Sequence, residues 1–334
     1  MTSGSSTDKC VVHYKTARIH HSGNDLDIFY REAGAKDAPV ILLLHGFPTS
    51  SSQFRNLIPR LAGSFRLIAP DYPGYGQSSM PDRTKFPYTF DNFAAIVDQL
   101  LGQAGISKYT IYTFDYGAPV GYRLALLHPE RVTGLIVQNG NAYAEGLREF
   151  WDPIKKYWAT PENREQIFYM VDAAKTRWQY ENGVEDKTLV DPNAWTLDQF
   201  LLDRPGNGEI QADLMLDYGT NLALYPKFQA FFREYQPPTL VVWGKNDFVF
   251  PPEGATPYAR DLKNIEIHML DTGHFASGNA RGRGGKSYRI FLPQAAIQSG
   301  IDSRVRFGPV LDRPEAQART HVPQFWIVGI HAGR

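Results

Sequence analysis

Short apolar or alternating runs recur along most of the chain, with stretches of helical periodicity between them. This alternation is typical of a mostly parallel sheet that is covered by helices, so the pattern predicts an α/β fold. The runs that predict strands are LDIFY (26–30), VILLL (40–44), FRLIAP (65–70), YTIYTF (109–114), VTGLIVQN (132–139), TLVVWG (239–244) and IEIHML (265–270). The intervening stretches predict helices near 53–62, 91–104, 117–128 and 250–262.

One long segment interrupts this rhythm. Between 141 and 235 the chain is rich in aromatic residues and helix formers, and it contains no run that resembles a buried strand. Because strands are predicted on both sides, we expect a helical cap inserted between two strands of the sheet. The α/β core is then formed by 24–140 and 236–276, and a polar leader occupies 1–23.

The C-terminal segment 277–334 departs from the rest of the chain in composition. It holds 9 Lys and Arg against 3 Asp and Glu, which leaves 26 against 32 for the remainder. It begins with SGNARGRGGK, a poor helix-forming run at a point where an α/β sheet needs a covering helix. Two hypotheses stay open for this tail: a partly disordered extension, or the product of a shifted reading frame.

Composition narrows the range of partners. The 334 residues carry a formal net charge of zero and are 43% hydrophobic, so charge gives no reason to expect nucleic acid or an anionic membrane. Cys10 is the only cysteine, and no apolar run approaches the ~20 residues that span a bilayer. We therefore expect a cytoplasmic protein without a membrane span that acts on a small, neutral or apolar molecule. The oligomeric state stays open.

A candidate reactive residue lies where the predicted strand 109–114 turns into the predicted helix 117–128. A sharp turn of this kind exposes its apical side chain above the sheet and brings backbone N–H groups close to it. The apex is Asp115, with Gly117 two positions after it and the bulkier Thr113 two positions before it. Considered alone, an aspartate at the start of a helix is more often an N-cap than a nucleophile.

Three further stretches strengthen the interpretation of this turn, because each follows a predicted strand. HGFPTSS begins at His45 and can place the Phe47 N–H opposite the turn, where it would form an oxyanion pair with the N–H of Tyr116. Asp247 follows TLVVW, and His274 follows IEIHML. Strand ends of this kind meet at one edge of an open α/β sheet, where ligands bind.

Together, HGFP, DYPGYGQS (71–78), the aspartate turn, WGKND and DTGHF resemble the α/β-hydrolase fold, in the branch of soluble epoxide hydrolases and haloalkane dehalogenases. The resemblance covers about 24–276 and implies a mostly parallel, eight-stranded sheet flanked by helices, with an inserted helical cap. It also implies that Asp115 is the nucleophile, Asp247 the acid and His274 the general base, and it implies no cofactor.

The leaving group is less strongly indicated. Haloalkane dehalogenases hold halide with side-chain N–H groups, commonly at the positions of Tyr116 and Phe47, which supply none. A cap tryptophan could substitute, and the candidates are Trp151, Trp158, Trp178 and Trp195. Epoxide opening instead needs a phenol that donates to the ring oxygen, and the resemblance favours Tyr180 and Tyr218 among seven tyrosines of the insertion, although Gly219 replaces the usual arginine after Tyr218.

The sequence thus predicts a hydrolase that opens a small or lipophilic epoxide to a diol through an alkyl ester of Asp115. Dehalogenase or ester-hydrolase activity stays open as an alternative, as does an inactive homologue caused by the altered tail. His45 and Asp71 are interpreted as structural residues of loops. His20, His21 and His268 lack the spacing of a metal site, so no metal is predicted.

Overall fold

A computed structural model describes residues 11–275, which contain one eight-stranded sheet with the spatial order β1-β2-β4-β3-β5-β6-β7-β8. The strands are β1 His13–His21, β2 Asn24–Ala33, β3 Val40–Leu44, β4 Arg66–Pro70, β5 Tyr109–Phe114, β6 Val132–Gln138, β7 Thr239–Gly244 and β8 Ile265–Leu270. The β1–β2 and β2–β4 pairs are antiparallel, and all the other pairs are parallel. The predicted α/β fold with a mostly parallel, eight-stranded sheet is therefore confirmed.

The central strands form the core because both of their faces are buried. In β3, Leu42 and Leu44 pack into the larger apolar cluster on one face of the sheet, while Ile41 and Leu43 pack into a second cluster on the other face. Such strands appear in the sequence as apolar-rich runs, which explains why β3, β5 and β7 begin and end at the predicted residues. The edge strand β8 also has the predicted bounds, although most of its residues are only partly buried.

The prediction of a polar leader over 1–23 is wrong for its last part, because His13–His21 forms strand β1 at the edge of the sheet. Most of this strand is exposed, and within it only Ile19 is fully buried, so no apolar pattern marks it. The segment is a strand because it pairs with β2. A tight turn at Ser22 and Gly23, both of which have positive φ, connects the two strands. Residues 1–10 lie outside the described part of the chain.

The α-helices are α1 Ile58–Leu61, α2 Phe90–Gln103, α3 Gly117–Leu127, α4 Asp152–Ala159, α5 Ala173–Glu181, α6 Pro192–Leu202, α7 Asn207–Asp217, α8 Thr220–Tyr235 and α9 Tyr258–Asp261. Helices α2 and α3 match the prediction closely. The helices predicted near 53–62 and 250–262 are much shorter. In the second case Pro251, Pro252 and Pro257 interrupt the backbone hydrogen bonding, so only the last turn is α-helical.

The residues between β6 and β7 form helices α4–α8 together with short 3-10 helices, the longest of which is Pro161–Val171. We call residues 144–235 the helical segment. It contains no strand, as the sequence pattern predicts for this region. In the described range 11–275, no helix is long and apolar enough to cross a membrane. The two hypotheses for the tail 277–334 concern residues outside that range.

Candidate active site

Asp115 lies at the apex of a strained turn between β5 and α3. Its φ is +49°, a left-handed conformation that L residues adopt rarely and that aspartate tolerates better than most. The turn is tightly packed: a Cβ on Gly117 would lie 2.2 Å from the Leu44 carbonyl oxygen, and one on Gly46 would lie 2.3 Å from the Asp115 Cβ. Both neighbours must therefore be glycine, and the turn holds the Asp115 side chain in a fixed direction.

The carboxylate of Asp115 is buried and accepts hydrogen bonds from the backbone. The Phe47 N–H donates to its Oδ1 at 2.6 Å, and the Tyr116 N–H also contributes. Burial raises the pKa of Asp115 to about 6, although nearby His274 and the two N–H groups favour the charged form. The carboxylate is therefore mostly ionised near neutral pH, and both N–H groups predicted to form the oxyanion pair converge on it.

His274 and Asp247 form a buried hydrogen-bonded pair beside Asp115. The His274 Nδ1 and an Asp247 carboxylate oxygen are 2.8 Å apart, and the His274 Nε2 lies 3.8 Å from the Asp115 Oδ2. Burial lowers the pKa of His274, but Asp247 and Asp115 outweigh it, so the pKa is raised above 6.5. The Nε2 atom is buried and has no hydrogen-bond partner among the described residues, which leaves it directed at the space beside Asp115.

Asp247 is held by hydrogen bonds to both of its oxygens. Its Oδ1 accepts from the N–H groups of Val249 at 2.7 Å and Phe250 at 3.1 Å. Its Oδ2 accepts from the Asn139 side-chain amide at 2.6 Å as well as pairing with His274. Sequence reasoning missed Asn139, although a polar residue at the end of the buried strand 132–139 was a usable signal.

His45 supports the loop that carries Phe47. The Tyr72 N–H donates to its Nε2 at 3.2 Å, so the Nδ1 carries the proton that faces the Gly46 carbonyl oxygen at 3.2 Å. Burial lowers the pKa of His45 to about 3, which keeps the ring neutral. These contacts agree with the structural role expected for His45. Asp71 likewise accepts two loop N–H groups, those of Ser51 and Gln77.

Tyr218, at the end of α7, lies beside the Asp115 turn. Its ring centroid is 5.8 Å from that of Tyr116 and 6.3 Å from that of Phe250, which in turn packs on His274. Burial, the Tyr225 hydroxyl and the charge of Asp115 raise the pKa of Tyr218, so its hydroxyl stays protonated. That hydroxyl is buried and makes no well-formed hydrogen bond within residues 11–275.

Tyr180 has a different environment from the one its predicted role requires. Its hydroxyl donates to Asp198 Oδ2 at 2.5 Å, and its ring stacks on Phe275 with centroids 3.8 Å apart. The Tyr180 ring therefore packs on the residue that follows His274 in the chain. Its hydroxyl, however, is bonded to Asp198 of α6 and not to the Asp115 turn. The sequence could not distinguish the two tyrosines, because the direction of a hydroxyl depends on helix packing.

Tyr72 is a second buried hydroxyl near Asp115 that sequence reasoning missed. Burial is the main cause that raises the pKa of Tyr72, and the negative charge of Asp115 raises it further. The Tyr72 hydroxyl therefore lies close enough to Asp115 to interact with its charge. The hydroxyl makes no hydrogen bond to another described residue. Tyr72 lies in the DYPGYG stretch, where only a turn had been expected.

Two of the four tryptophans considered as halide donors have their indole N–H groups occupied. Trp151 donates to the Val249 carbonyl at 2.8 Å, and Trp158 donates to the Met215 carbonyl at 2.7 Å. Among residues 11–275, no group of three or more His, Cys, Asp or Glu side chains could hold a metal ion. The groups gathered around the Asp115 carboxylate are a histidine, backbone N–H groups and phenols.

The alpha/beta hydrolase fold family model matches residues 39–166 and 169–279, which include the Asp115 turn and the loops of Asp247 and His274. The chain belongs to this family. An uncharacterized hydrolase of Saccharomyces cerevisiae is 49% identical over 268 residues, which cover 78% of this chain and 92% of that protein. A haloalkane dehalogenase of Mesorhizobium japonicum is 35% identical over 171 residues, covering 51% of this alpha/beta hydrolase and 49% of that enzyme.

Solved structures of the same fold are also similar. Haloalkane dehalogenase DbeA of Bradyrhizobium elkani superposes with a TM-score of 0.64 at 22% identity, over 80% of this chain and 91% of that one. Cfl2 of Burkholderia cenocepacia superposes with a TM-score of 0.65 at 21% identity, over the same shares of the two chains. At these identities the likeness shows the fold alone.

Proposed function

We propose that this alpha/beta hydrolase opens a small or lipophilic epoxide to a diol through an alkyl ester of Asp115. The observation that carries the proposal is the convergence on one buried carboxylate of two backbone N–H groups and a histidine paired with a second carboxylate. The first step requires only the ionised carboxylate, since Asp115 needs no base to activate it.

The two oxygens of Asp115 have different contacts, and the proposed mechanism gives them different roles. Oδ2 faces His274 and would attack the sp³ carbon, forming a carbon–oxygen bond as the carbon–oxygen bond of the epoxide ring breaks. The Tyr218 hydroxyl would donate its proton to the departing ring oxygen and recover one from water. Oδ1, which accepts from the Phe47 N–H, then becomes the carbonyl oxygen of the ester.

Hydrolysis of the ester uses the histidine. His274 Nε2 would remove a proton from water, which attacks the ester carbonyl, while the N–H groups of Phe47 and Tyr116 stabilise the negative charge on Oδ1. Collapse of the tetrahedral intermediate breaks the bond to the ester oxygen, and the alcohol takes the proton from His274 as the diol leaves. Asp247, held by Asn139 and two N–H groups, orients His274 and favours its charged form.

The leaving group is the finer part of the proposal. Tyr218 supplies a protonated, buried hydroxyl near Asp115, which suits an epoxide oxygen. Halide would need side-chain N–H donors, but residues 47 and 116 have none, and those of Trp151 and Trp158 are bonded to backbone carbonyls. We therefore favour epoxides. The helical segment would act as the cap that carries the proton donor.

Haloalkane hydrolysis is the second candidate, because several relatives are haloalkane dehalogenases. The same nucleophile and histidine would serve both reactions, and only the stabilisation of the leaving group differs. Trp178 and Trp195 are the remaining tryptophan candidates for halide donors in the helical segment.

The test is mass spectrometry of a His274→Gln variant incubated with panels of epoxides and haloalkanes. We expect a covalent adduct on Asp115 whose mass equals that of the epoxide, because alkylation proceeds while ester hydrolysis lacks its base. Asp115→Asn serves as the matched control and should remain unmodified. Adducts formed only by haloalkanes would replace the epoxide assignment with dehalogenation, and no adduct on folded protein would refute the aspartate mechanism.

A further inference from the structure

Three backbone segments meet beside the candidate active site with no side chain between them. A Cβ on Gly273 would lie 1.8 Å from the Asn182 carbonyl oxygen, and one on Gly183 would lie 2.4 Å from the Asn246 carbonyl oxygen. The loop that follows α5 is therefore in direct backbone contact with the loops that carry Asp247 and His274. We call this contact the glycine junction, formed by 182–183, 244–246 and 272–273.

The two strand-end loops are also joined directly within the junction. A Cβ on Gly244 would lie 2.0 Å from the Gly273 carbonyl oxygen, and the Asn246 N–H donates to the Thr272 carbonyl at 3.1 Å. The Asn246 side-chain amide connects both sides, because it donates to the Gly183 carbonyl and to Asp271 Oδ1, each at 3.0 Å. Neither loop can move without displacing the other or the helical segment.

The neighbours of the junction in the chain are the catalytic pair of the proposed mechanism. Asp247 follows Asn246, and His274 follows Gly273. The hydrogen bond between the His274 Nδ1 and the Asp247 Oδ2, which are 2.8 Å apart, requires the two loops to keep their relative position. A displacement of about 1 Å at a site of this kind can cost about 10²-fold in rate. Helix α5 also braces the histidine loop through the stacking of Tyr180 on Phe275.

We propose that the glycine junction positions His274 against Asp247, with Gly183 and Asn246 as positioning residues, so that the helical segment controls the hydrolytic step. This inference rests on the proposed function. Alkylation uses Asp115 with the N–H groups of Phe47 and Tyr116, none of which lies in the junction. A disturbed junction should therefore slow ester hydrolysis and leave ester formation almost unchanged.

Gly183→Ala tests the inference, with Gly206→Ala as its control. Both glycines have left-handed φ, +75° and +83°, so the added methyl group strains both backbones, but an added Cβ meets nothing within 4 Å at Gly206. With an epoxide that alkylates the His274→Gln protein, we expect Gly183→Ala to accumulate the ester and to hydrolyse it 10–100-fold more slowly. Hydrolysis in Gly183→Ala as fast as in Gly206→Ala would overturn the inference.

Asn246→Ala provides a test that leaves the backbone glycines in place, should Gly183→Ala fail to fold. It removes the amide that bridges the helical segment and the histidine loop. Asn24→Ala is the matched control, since the Asn24 amide also bridges two acceptors, in this case the carbonyls of Ser22 and Lys85, and it lies beside the β1–β2 turn outside the junction. We expect ester accumulation in the first variant and wild-type kinetics in the second, and equal kinetics in both would overturn the inference.

A measurement without substrate separates this inference from the proposed function. Because the Nδ1 of His274 is hydrogen-bonded to Asp247, we expect its proton to give a downfield NMR resonance. We expect that resonance to shift or broaden in Gly183→Ala and Asn246→Ala and to remain in place in the two control variants. An unchanged resonance would overturn the positioning role even if epoxides alkylate Asp115. A shifted resonance would support it even if no epoxide proves to be a substrate.

Discussion

Asp115 and Asp247 are both buried carboxylates that follow strands of the same sheet, β5 and β7, and they differ in the hydrogen bonds that hold them. Asp115 is 4% exposed and Asp247 is 3% exposed, so burial does not distinguish them. Both oxygens of Asp247 are bonded, one to two backbone N–H groups and the other to Asn139 and His274. Asp115 accepts only backbone N–H groups, and its Oδ2 faces His274 across 3.8 Å.

This difference supports the two chemical roles proposed for these residues. A carboxylate whose lone pairs are all committed can orient a histidine but is poorly placed to attack carbon. A carboxylate that burial has partly destabilised, and that keeps one open oxygen, is a better nucleophile because the attack relieves its desolvation. The two aspartates should therefore respond differently to substitution by asparagine, both in the reaction step that is lost and in the sign of the change in stability.

The largest effect is expected for Asp115→Asn. The amide retains a hydrogen-bond acceptor for the Phe47 N–H but is not an anionic nucleophile, so turnover should fall by more than about 10⁴-fold. Steady-state diol formation measures the loss, and intact-protein mass spectrometry should find no adduct. Retention of one tenth of the wild-type rate would assign the nucleophile to another residue.

Asp247→Asn should reduce turnover by about 10²–10⁴-fold while alkylation continues. The amide no longer fixes the His274 tautomer or stabilises its charged form, so the ester of Asp115 should accumulate. Rapid-quench kinetics distinguish the two steps. Loss of alkylation together with hydrolysis would mean that Asp247 supports Asp115 directly.

Protein stability gives an independent contrast between the two aspartates. Because the pKa of Asp115 is raised from 3.8 to about 6, the folded chain holds a proton that the unfolded chain has released between these values. Stability therefore falls as pH rises through this window and stays lowered above it, by about 3 kcal/mol. Asp115→Asn should remove that cost and raise the free energy of unfolding at neutral pH.

Asp247→Asn should instead lower the free energy of unfolding. The new NH₂ group would face donors that the carboxylate now accepts from, and a buried donor without an acceptor costs about 1–3 kcal/mol. Urea unfolding of the two variants at neutral pH compares these changes directly. Shifts of the same sign in both variants would contradict the difference in how the two side chains are held.

Tyr218→Phe should lower the alkylation rate by about 10–100-fold, because the departing ring oxygen loses its proton donor. Tyr180→Phe keeps the ring that stacks on Phe275 and removes the hydroxyl that bonds to Asp198 and Thr49, so it should leave alkylation within about twofold. Single-turnover kinetics with an epoxide measure both rates. Equal losses in both variants would show that the two hydroxyls act together.

Lowering the pH is expected to affect the two reaction steps unequally. His274 must be neutral to remove a proton from water, and its pKa is raised above 6.5, whereas Asp115 stays ionised down to about pH 6. As the pH falls, hydrolysis should therefore slow before alkylation does, by up to about tenfold per pH unit. The fraction of alkylated enzyme in the steady state should rise as the pH falls, and a constant fraction would contradict the assignment of the base.

The sequence predicted the strand ends well because the central strands are buried on both faces. Apolar runs such as VILLL mark these strands clearly, and Asp115, Asp247 and His274 could be placed at or within a few residues after the ends of predicted strands. Strand β1 was missed because its stability comes from pairing with β2 and not from an apolar face of its own.

Residues that act through packing were harder to predict. The polar Asn139 at the end of the run 132–139 was a visible signal, but its hydrogen bond to Asp247 depends on the position of the loop after β7, which a local pattern does not specify. Tyr180 and Tyr218 were equally plausible in the sequence, yet the hydroxyl of one is bonded to Asp198 while the other lies beside Tyr116. The packing of helices α5–α7 determines which of the two hydroxyls lies near the Asp115 turn.

The glycine junction also limits how freely parts of this enzyme can be exchanged. The helical segment looks easy to replace with that of a relative, because both of its ends lie between β6 and β7. The imported loop must nevertheless present a bare backbone to Gly273 and a carbonyl to Asn246. Exchanges of the helical segment should therefore transfer 182–183 together with 244–246 and 272–273.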